Sequence, residues 1–281
     1  MSDERPEEGE GGPTRSWIQS QTRASAMMPA AGGDRKGSGL IRTDLGMATV
    51  CSTRSCGTAE DRFAIVGDVH GDAVRLARML ESVLDDHRRV VLVGDYVNRG
   101  ANSKAVLSLL VQTKRRLRDN LILLAGNHDI ATLKYIDEGS LPSFAGRGGM
   151  ATIRSYVGAA TGDLHRQFRR RFPPDHEHLL REQLEVCFES EDLLVSHTGY
   201  DPEAPHDRSC AALVNTPHPE LLSDPEARLR APRPTVVFGH YVQTSRRPWH
   251  QGPLVCLDTG CGTINGPLTA LLLPENSFVS V

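Results

Sequence analysis

The chain has 281 residues, with 32 Lys plus Arg against 35 Asp plus Glu and a formal net charge of -3. That balance argues against a protein built to coat nucleic acid, and no apolar stretch reaches the length that spans a bilayer. The acidic, polar start Met1-Ser2-Asp3-Glu4-Arg5-Pro6-Glu7-Glu8 is the opposite of a secretory signal's basic start and apolar core, so a soluble, cytoplasmic protein is expected.

Residues 1–60 are rich in Gly, Ser, Pro, Arg and Glu and carry little periodic apolar pattern. Such a segment buries too little surface to offset its ordering entropy, and a disordered extension is expected there. Residues 61–281 are enough for one well-packed domain. In them, apolar runs at Phe63–Val66, Val90–Val93 and Leu121–Ala125 read as strands. Between these runs, Val74, Leu76, Ala77, Met79, Leu80, Val83 and Leu84, then Val106, Leu107, Leu109, Leu110 and Val111, fall at helical spacing, with Asn102 and Ser103 as cap candidates for the second helix. This alternation implies a βαβαβ unit. Residues 130–191 read as mainly helical, and short strands return at Leu193–Ser196, Thr235–Phe238, Leu254–Leu257 and Leu268–Leu273. The Pro-rich stretch 201–233 is the natural place for a substrate loop.

Three segments carry the chemistry: Gly67-Asp68-Val69-His70-Gly71, Gly94-Asp95-Tyr96-Val97-Asn98-Arg99-Gly100 and Gly126-Asn127-His128-Asp129. Each follows an expected strand, so carboxylate, imidazole and amide donors gather at the carboxyl ends of successive strands. Oxygen and nitrogen donors so gathered suit hard or borderline divalent metals. The spacing and order resemble the metallophosphoesterase (calcineurin-like) superfamily, in its phosphoprotein-phosphatase branch with the bacterial serine/threonine phosphatases and the dinucleoside tetraphosphatases. Val195-Ser196-His197-Thr198-Gly199, Val237-Phe238-Gly239-His240-Tyr241, Leu257-Asp258-Thr259-Gly260-Cys261 and the run Gly148-Gly149-Met150-Ala151-Thr152 extend the likeness, which covers about residues 63–273.

The resemblance implies a mixed α/β fold, a four-layer αββα sandwich. It also implies two divalent metal ions, with manganese favoured and Fe, Zn or Mg compatible with the donor set. Asp68 and His70 would hold the first ion, Asp95 would bridge, and Asn127, His197 and His240 would complete the second. Two such ions about 3.5–4 Å apart clamp a phosphoryl group and acidify a bridging water, whose hydroxide attacks phosphorus in line. His128 resembles the general acid that protonates the leaving alkoxide, and Arg99 the guanidinium that grips phosphate oxygens.

Two departures from the family pattern stand out. Asn98 replaces the Asp that pairs with the catalytic His; it is expected to orient His128 through its amide oxygen, without a negative charge, and to leave the imidazole with a lowered pKa. The stretch Ala211-Ala212-Leu213-Val214-Asn215 carries no second phosphate-binding Arg, and Arg208 is the nearby candidate to replace it.

The expected activity is hydrolysis of a phosphoric ester, most like a serine/threonine protein phosphatase. Hydrolysis of dinucleoside tetraphosphates is the enzymatic alternative, and a phosphate-reading pseudoenzyme the alternative of another class. The partner is accordingly a phosphorylated protein or a small phosphate ester or anhydride, with no membrane and no nucleic acid. Arg166, Arg169, Arg170 and Arg171 are read as a solvated helix face, and Trp249 as an aromatic packed on a sheet edge. The six cysteines contain no C-x-x-C pair, so they are read as structural or incidental thiols rather than a disulfide framework, with Cys51 and Cys56 in a flexible lead-in.

Overall fold

The structure is a computed structural model that describes residues 41–42, 48–49, 51–53, 62–84, 88–159 and 161–281. Ile41–Arg42 (β1) and Ala48–Thr49 (β2) pair antiparallel, and Cys51–Thr53 (β3) belongs to a larger sheet. Phe63–Val66 (β4), Arg89–Leu92 (β5), Leu121–Leu124 (β6) and Leu184–Glu185 (β7) run parallel in that order. Cys187–Glu189 (β8), Leu193–Ser196 (β9), Thr235–Phe238 (β10), Trp249–Gln251 (β11) and Leu254–Cys256 (β12) follow. Thr269–Leu273 (β13) and Ser277–Ser280 (β14) close the chain.

Two six-stranded sheets result. One has the order β14-β13-β4-β5-β6-β7, the other β11-β12-β10-β9-β8-β3. Strand periodicity explains how they stack, because alternate side chains point to opposite faces. Ile65, Val91, Ile122 and Leu124 from the first sheet meet Phe188, Val195, Val237 and Val255 from the second in a core between the sheets. Phe63 and Phe188 touch across it, with ring centroids 5.3 Å apart. The intervening residues Ala64, Val66, Val90 and Leu92 face the helices instead.

Those helices are Ala73–Leu84 (α1), Ser103–Leu117 (α2), Asn127–Glu138 (α3), Leu141–Gly146 (α4), Gly149–Val157 (α5), Leu164–Arg171 (α6) and Pro174–Glu182 (α7). Each lays an apolar stripe inward: Leu76, Met79, Leu80 and Val83 on α1, and Val106, Leu107 and Leu110 on α2. On the far side, Val236, Phe238, Leu254 and Cys256 share a core with Leu213, Leu221 and Ala227 from short helical turns. The layers are therefore helix, sheet, sheet, helix, the αββα sandwich expected.

Most of the expected disordered extension, residues 1–60, lies outside the described residues, as does Cys56. Cys51 calls for a correction. It is bonded to Cys187 in a disulfide, where β3 pairs with β8 in parallel and sets Cys51 directly opposite Cys187, Cα to Cα 4.7 Å. The short strand within a lead-in of disordered composition hid this neighbour. Cys256 and Cys261 are free and buried, as small apolar residues would be. Trp249 opens β11 and packs on the core beside β12. No described helix is long and apolar enough to cross a membrane.

Candidate dinuclear metal centre

Every donor named from sequence lies at the carboxyl end of a strand, and the sheets bring them together. Asp68 and His70 follow β4, Asp95 follows β5, and Asn127 opens α3 just after β6. His197 follows β9 and His240 follows β10, so the second sheet supplies two imidazoles to a centre begun by the first. The His70 Nε2 atom is 3.4 Å from one Asp95 oxygen, and His197 Nε2 is 3.4 Å from the other. Two sets of donors each gather within 4.8 Å: His70, Asp95 and His128, and Asp68, Asp95 and His197. Asp95 is common to both, one carboxylate oxygen toward each. His240 Nδ1 lies 3.2 Å from His197 Nε2, and Asn127 Oδ1 lies 3.1 Å from the same nitrogen.

The chemistry of this donor set fits a pair of cations. His70 gives its Nδ1 proton to the Val97 carbonyl at 3.1 Å, and His197 gives its own to the Val93 carbonyl at 3.0 Å. Each ring is thereby fixed with a bare Nε2 lone pair facing the carboxylates, the arrangement a metal-ligating imidazole needs. Electrostatics point the same way. Burial, and then the neighbouring charges of Asp258 and Asp95, push Asp68 well above the ordinary carboxylate range. Burial lowers His70 to about 3 and His240 to about 4, so both rings are neutral donors at pH 7. Crowded carboxylates with neutral imidazoles between them are stabilised by a divalent cation.

The backbone is bent to reach this geometry. His70, Asp95, Asn98, Arg99 and His240 all have positive φ, between 43° and 69°, a region that costs L-residues energy and concentrates at functional sites. Glycine supplies the closest approaches: a Cβ on Gly126 would overlap the Asp95 carboxylate, and one on Gly239 would overlap that of Asp68.

Arg99 lies across the mouth, with Nη1 3.1 Å from His70 Nε2 and Nη2 3.2 Å from His128 Nε2. His128 is buried, and burial is the first cause of its lowered pKa, with the Arg99 cation adding to it against the opposing pull of Asp95. The expected direction of that shift stands, but the leading cause is burial rather than Asn98. The expected contact of Asn98 is also revised. Its Oδ1 accepts from the Thr152 hydroxyl at 2.8 Å, which turns Nδ2 toward His128 Nδ1 at 3.1 Å. Nδ1 is then an acceptor and the ring proton rests on Nε2, the atom that faces the centre, so the approach of Arg99 Nη2 to it is a close contact between donors rather than a hydrogen bond. Arg208 does not take the place of the missing arginine, because its guanidinium is engaged with both oxygens of Glu189.

Three residues were not singled out from sequence. Asp129 accepts from the backbone N–H groups of Asp95 at 2.8 Å, Tyr96 at 3.0 Å and Gly126 at 2.9 Å, which ties the second motif to the third. Thr152 orients Asn98. Asp258 is buried, with Oδ1 bonded to the Gly260 N–H at 3.0 Å and Oδ2 without a partner among the described residues; burial is the main cause that raises it to about 6. Thr152 and Asp258 lie within the quoted family segments, which was the available signal for both. Asp129 stood in the third motif but offered no ligand role.

The sequence model described as "Calcineurin-like phosphoesterase" matches residues 61–262. The chain belongs to this family. The likeness to solved structures agrees with the fold described above. A putative diadenosine tetraphosphatase is 25% identical, with a TM-score of 0.53, over 83% of this chain and 98% of that one. A protein serine/threonine phosphatase from Saccharomyces cerevisiae is 17% identical with a TM-score of 0.53, over 82% of this chain and 78% of that one. A probable serine/threonine-protein phosphatase of Encephalitozoon cuniculi is 33% identical over 92 residues, which is 33% of this chain and 19% of that protein. The matched stretch thus spans about a fifth of that relative's length.

Proposed function

We propose that this phosphoesterase is a dinuclear-metal hydrolase of phosphoric esters, most like a serine/threonine protein phosphatase. The observation that carries the reading is Asp95, shared between one donor set with His70 and His128 and another with Asp68 and His197. By resemblance Asp68 and His70, 4.0 Å apart, would hold one cation, Asn127, His197 and His240 the other, and Asp95 both. Divalent cations there, manganese by resemblance, supply Lewis acidity to phosphoryl oxygens and lower the pKa of water.

The chain's own residues do the rest. Arg99, exposed at the mouth, offers a planar fork of donors that matches two phosphate oxygens. His128 presents Nε2–H toward the same space and donates its proton to the departing alkoxide. Asn98, held by Thr152, keeps that proton on Nε2 by donating to Nδ1. Because Asp68, His70, Asp95 and His197 are buried to 1% exposure or less, their charges and dipoles act with little screening.

A second reading, hydrolysis of dinucleoside tetraphosphates, is favoured by the likeness to the putative diadenosine tetraphosphatase over 98% of that chain. Asn98 suits it too, since a phosphate leaving group needs less protonation than an alkoxide. The test is phosphate release from a phosphoserine peptide, and product analysis with a dinucleoside tetraphosphate. Metal-stripped protein re-supplied with Mn²⁺ is used, with Asp95→Asn as the blank. Turnover of either substrate, lost in the blank, is expected; silence on both with two bound metals would sink the reading.

A further inference from the structure

A cavity of about 430 Å³ opens beside the metal centre, and Asn127 belongs to both. From Asn127 its wall follows α3 through Ala131 to Lys134; Phe144 and Arg147 come from α4 and the turn after it, and Asn215 from the segment beyond β9. We propose that this groove holds a second anionic group of the substrate, gripped by Arg147, while the reacting phosphate sits at the metal centre under Arg99. The inference rests on reading that centre as a phosphoester hydrolase site.

Three observations carry it. The first is continuity, since a substrate bound at Asn127 has an open path along α3 rather than a closed wall. The second is that Arg147 is exposed and makes no ion pair or side-chain hydrogen bond among the described residues. Arg208, by contrast, is paired with Glu189. Lys134 lies 3.9 Å from Glu138, with both side chains more than half exposed, a pairing that stabilises little. The third is placement. Gly148, next to Arg147, accepts from the Arg99 N–H at 3.1 Å, and a Cβ placed on it would lie 3.0 Å from Arg99 Cγ. The two guanidinium-bearing segments are therefore pinned to each other, one at the centre and one at the groove.

A guanidinium binds a carboxylate or a phosphate by the same two parallel hydrogen bonds. The second anion can accordingly be an acidic side chain flanking a phosphoserine, or the distal phosphates of a dinucleoside tetraphosphate. Steady-state kinetics of the full chain loaded with Mn²⁺ separate these, with Arg147→Gln and Arg147→Lys compared on three substrates. p-Nitrophenyl phosphate carries one anion, while an acid-flanked phosphopeptide and a dinucleoside tetraphosphate carry more. In Arg147→Gln, KM for at least one multi-anion substrate should rise about tenfold beyond any rise for p-nitrophenyl phosphate. The change should lie in KM rather than kcat, and Arg147→Lys should recover part of it. A loss confined to the peptide or to the nucleotide identifies the anion's source. Equal changes on all three substrates overturn the inference while leaving the hydrolase reading intact; absence of turnover by the unaltered protein defeats that reading first.

Discussion

Asn98 sets how much help His128 can give a poor leaving group. In this chain Thr152 holds the amide so that Nδ2 donates to His128 Nδ1, which places the proton usefully on Nε2 but does nothing to stabilise an imidazolium. In Asn98→Asp, one carboxylate oxygen can keep the Thr152 bond while the other faces Nδ1, now as an acceptor of its proton. The imidazolium would gain a charged partner, and protonation of the leaving group would become easier. Turnover of a phosphoserine peptide should rise by about tenfold, roughly 1.4 kcal/mol in the barrier, with a smaller rise on p-nitrophenyl phosphate. A series of aryl and alkyl phosphates checks this, since rates should depend less steeply on leaving-group pKa in the variant. An equal change across the series would count against it. The donor positions were legible because each lies within a few residues after an apolar run at a strand end, as His197 does after Leu193–Ser196 and His240 after Thr235–Phe238. Asp129, Thr152 and Asp258 were not, because each acts on another residue across the fold. The separation of 34 positions between Asp95 and Asp129 says nothing of the backbone bonds that join their loops.

At the scale of elements, β4, β5 and β6 and the first two helices were readable from the apolar pattern alone. β7 and β8 were missed, since two and three residues directly after α7 offer too short a pattern to break a helical reading. The helices from α5 to α7 carry a different consequence. His176 on α7 is buried, with Nδ1 2.7 Å from the Tyr156 hydroxyl and Nε2 3.1 Å from that of Ser108, and it packs edge-on against Tyr156 and Phe172. Burial is the main cause that lowers its pKa to about 4. In the unfolded chain the same group titrates near the ordinary imidazole value of about 6.5. The unfolded state therefore binds the extra proton first as pH falls, and stability is lost between about 6.5 and 4 rather than gained. By pH 4 the difference amounts to about 3 kcal/mol. His176→Gln can keep a donor and an acceptor there without titrating. Melting curves from pH 7 to pH 4 should fall less steeply for that variant than for the unaltered protein. Parallel curves would mean that His176 is not held neutral by its surroundings.

The metal centre joins what the two sheets would otherwise contribute separately. Asp68, His70, Asp95 and Asn127 follow strands of one sheet, His197 and His240 follow strands of the other, and between the sheets lies an apolar core with no directional bonds of its own. Cations that bind this folded arrangement and not the unfolded chain stabilise the whole domain by mass action, about 2.7 kcal/mol at a hundredfold excess over the dissociation constant. For a domain of this size that corresponds to roughly 5–10 °C in melting temperature. Chelation followed by Mn²⁺ titration should therefore move a single cooperative transition upward by that amount, in proportion to the logarithm of free metal. Asp95→Asn removes one negative charge from both donor sets at once, so its transition should respond far less to added metal. His240→Ala removes a donor from only one set and should keep part of the response. If the unaltered protein melts at the same temperature with and without metal, the donors are not held together by the cations they were read to bind. If His240→Ala and Asp95→Asn respond alike, Asp95 is not shared between two ions.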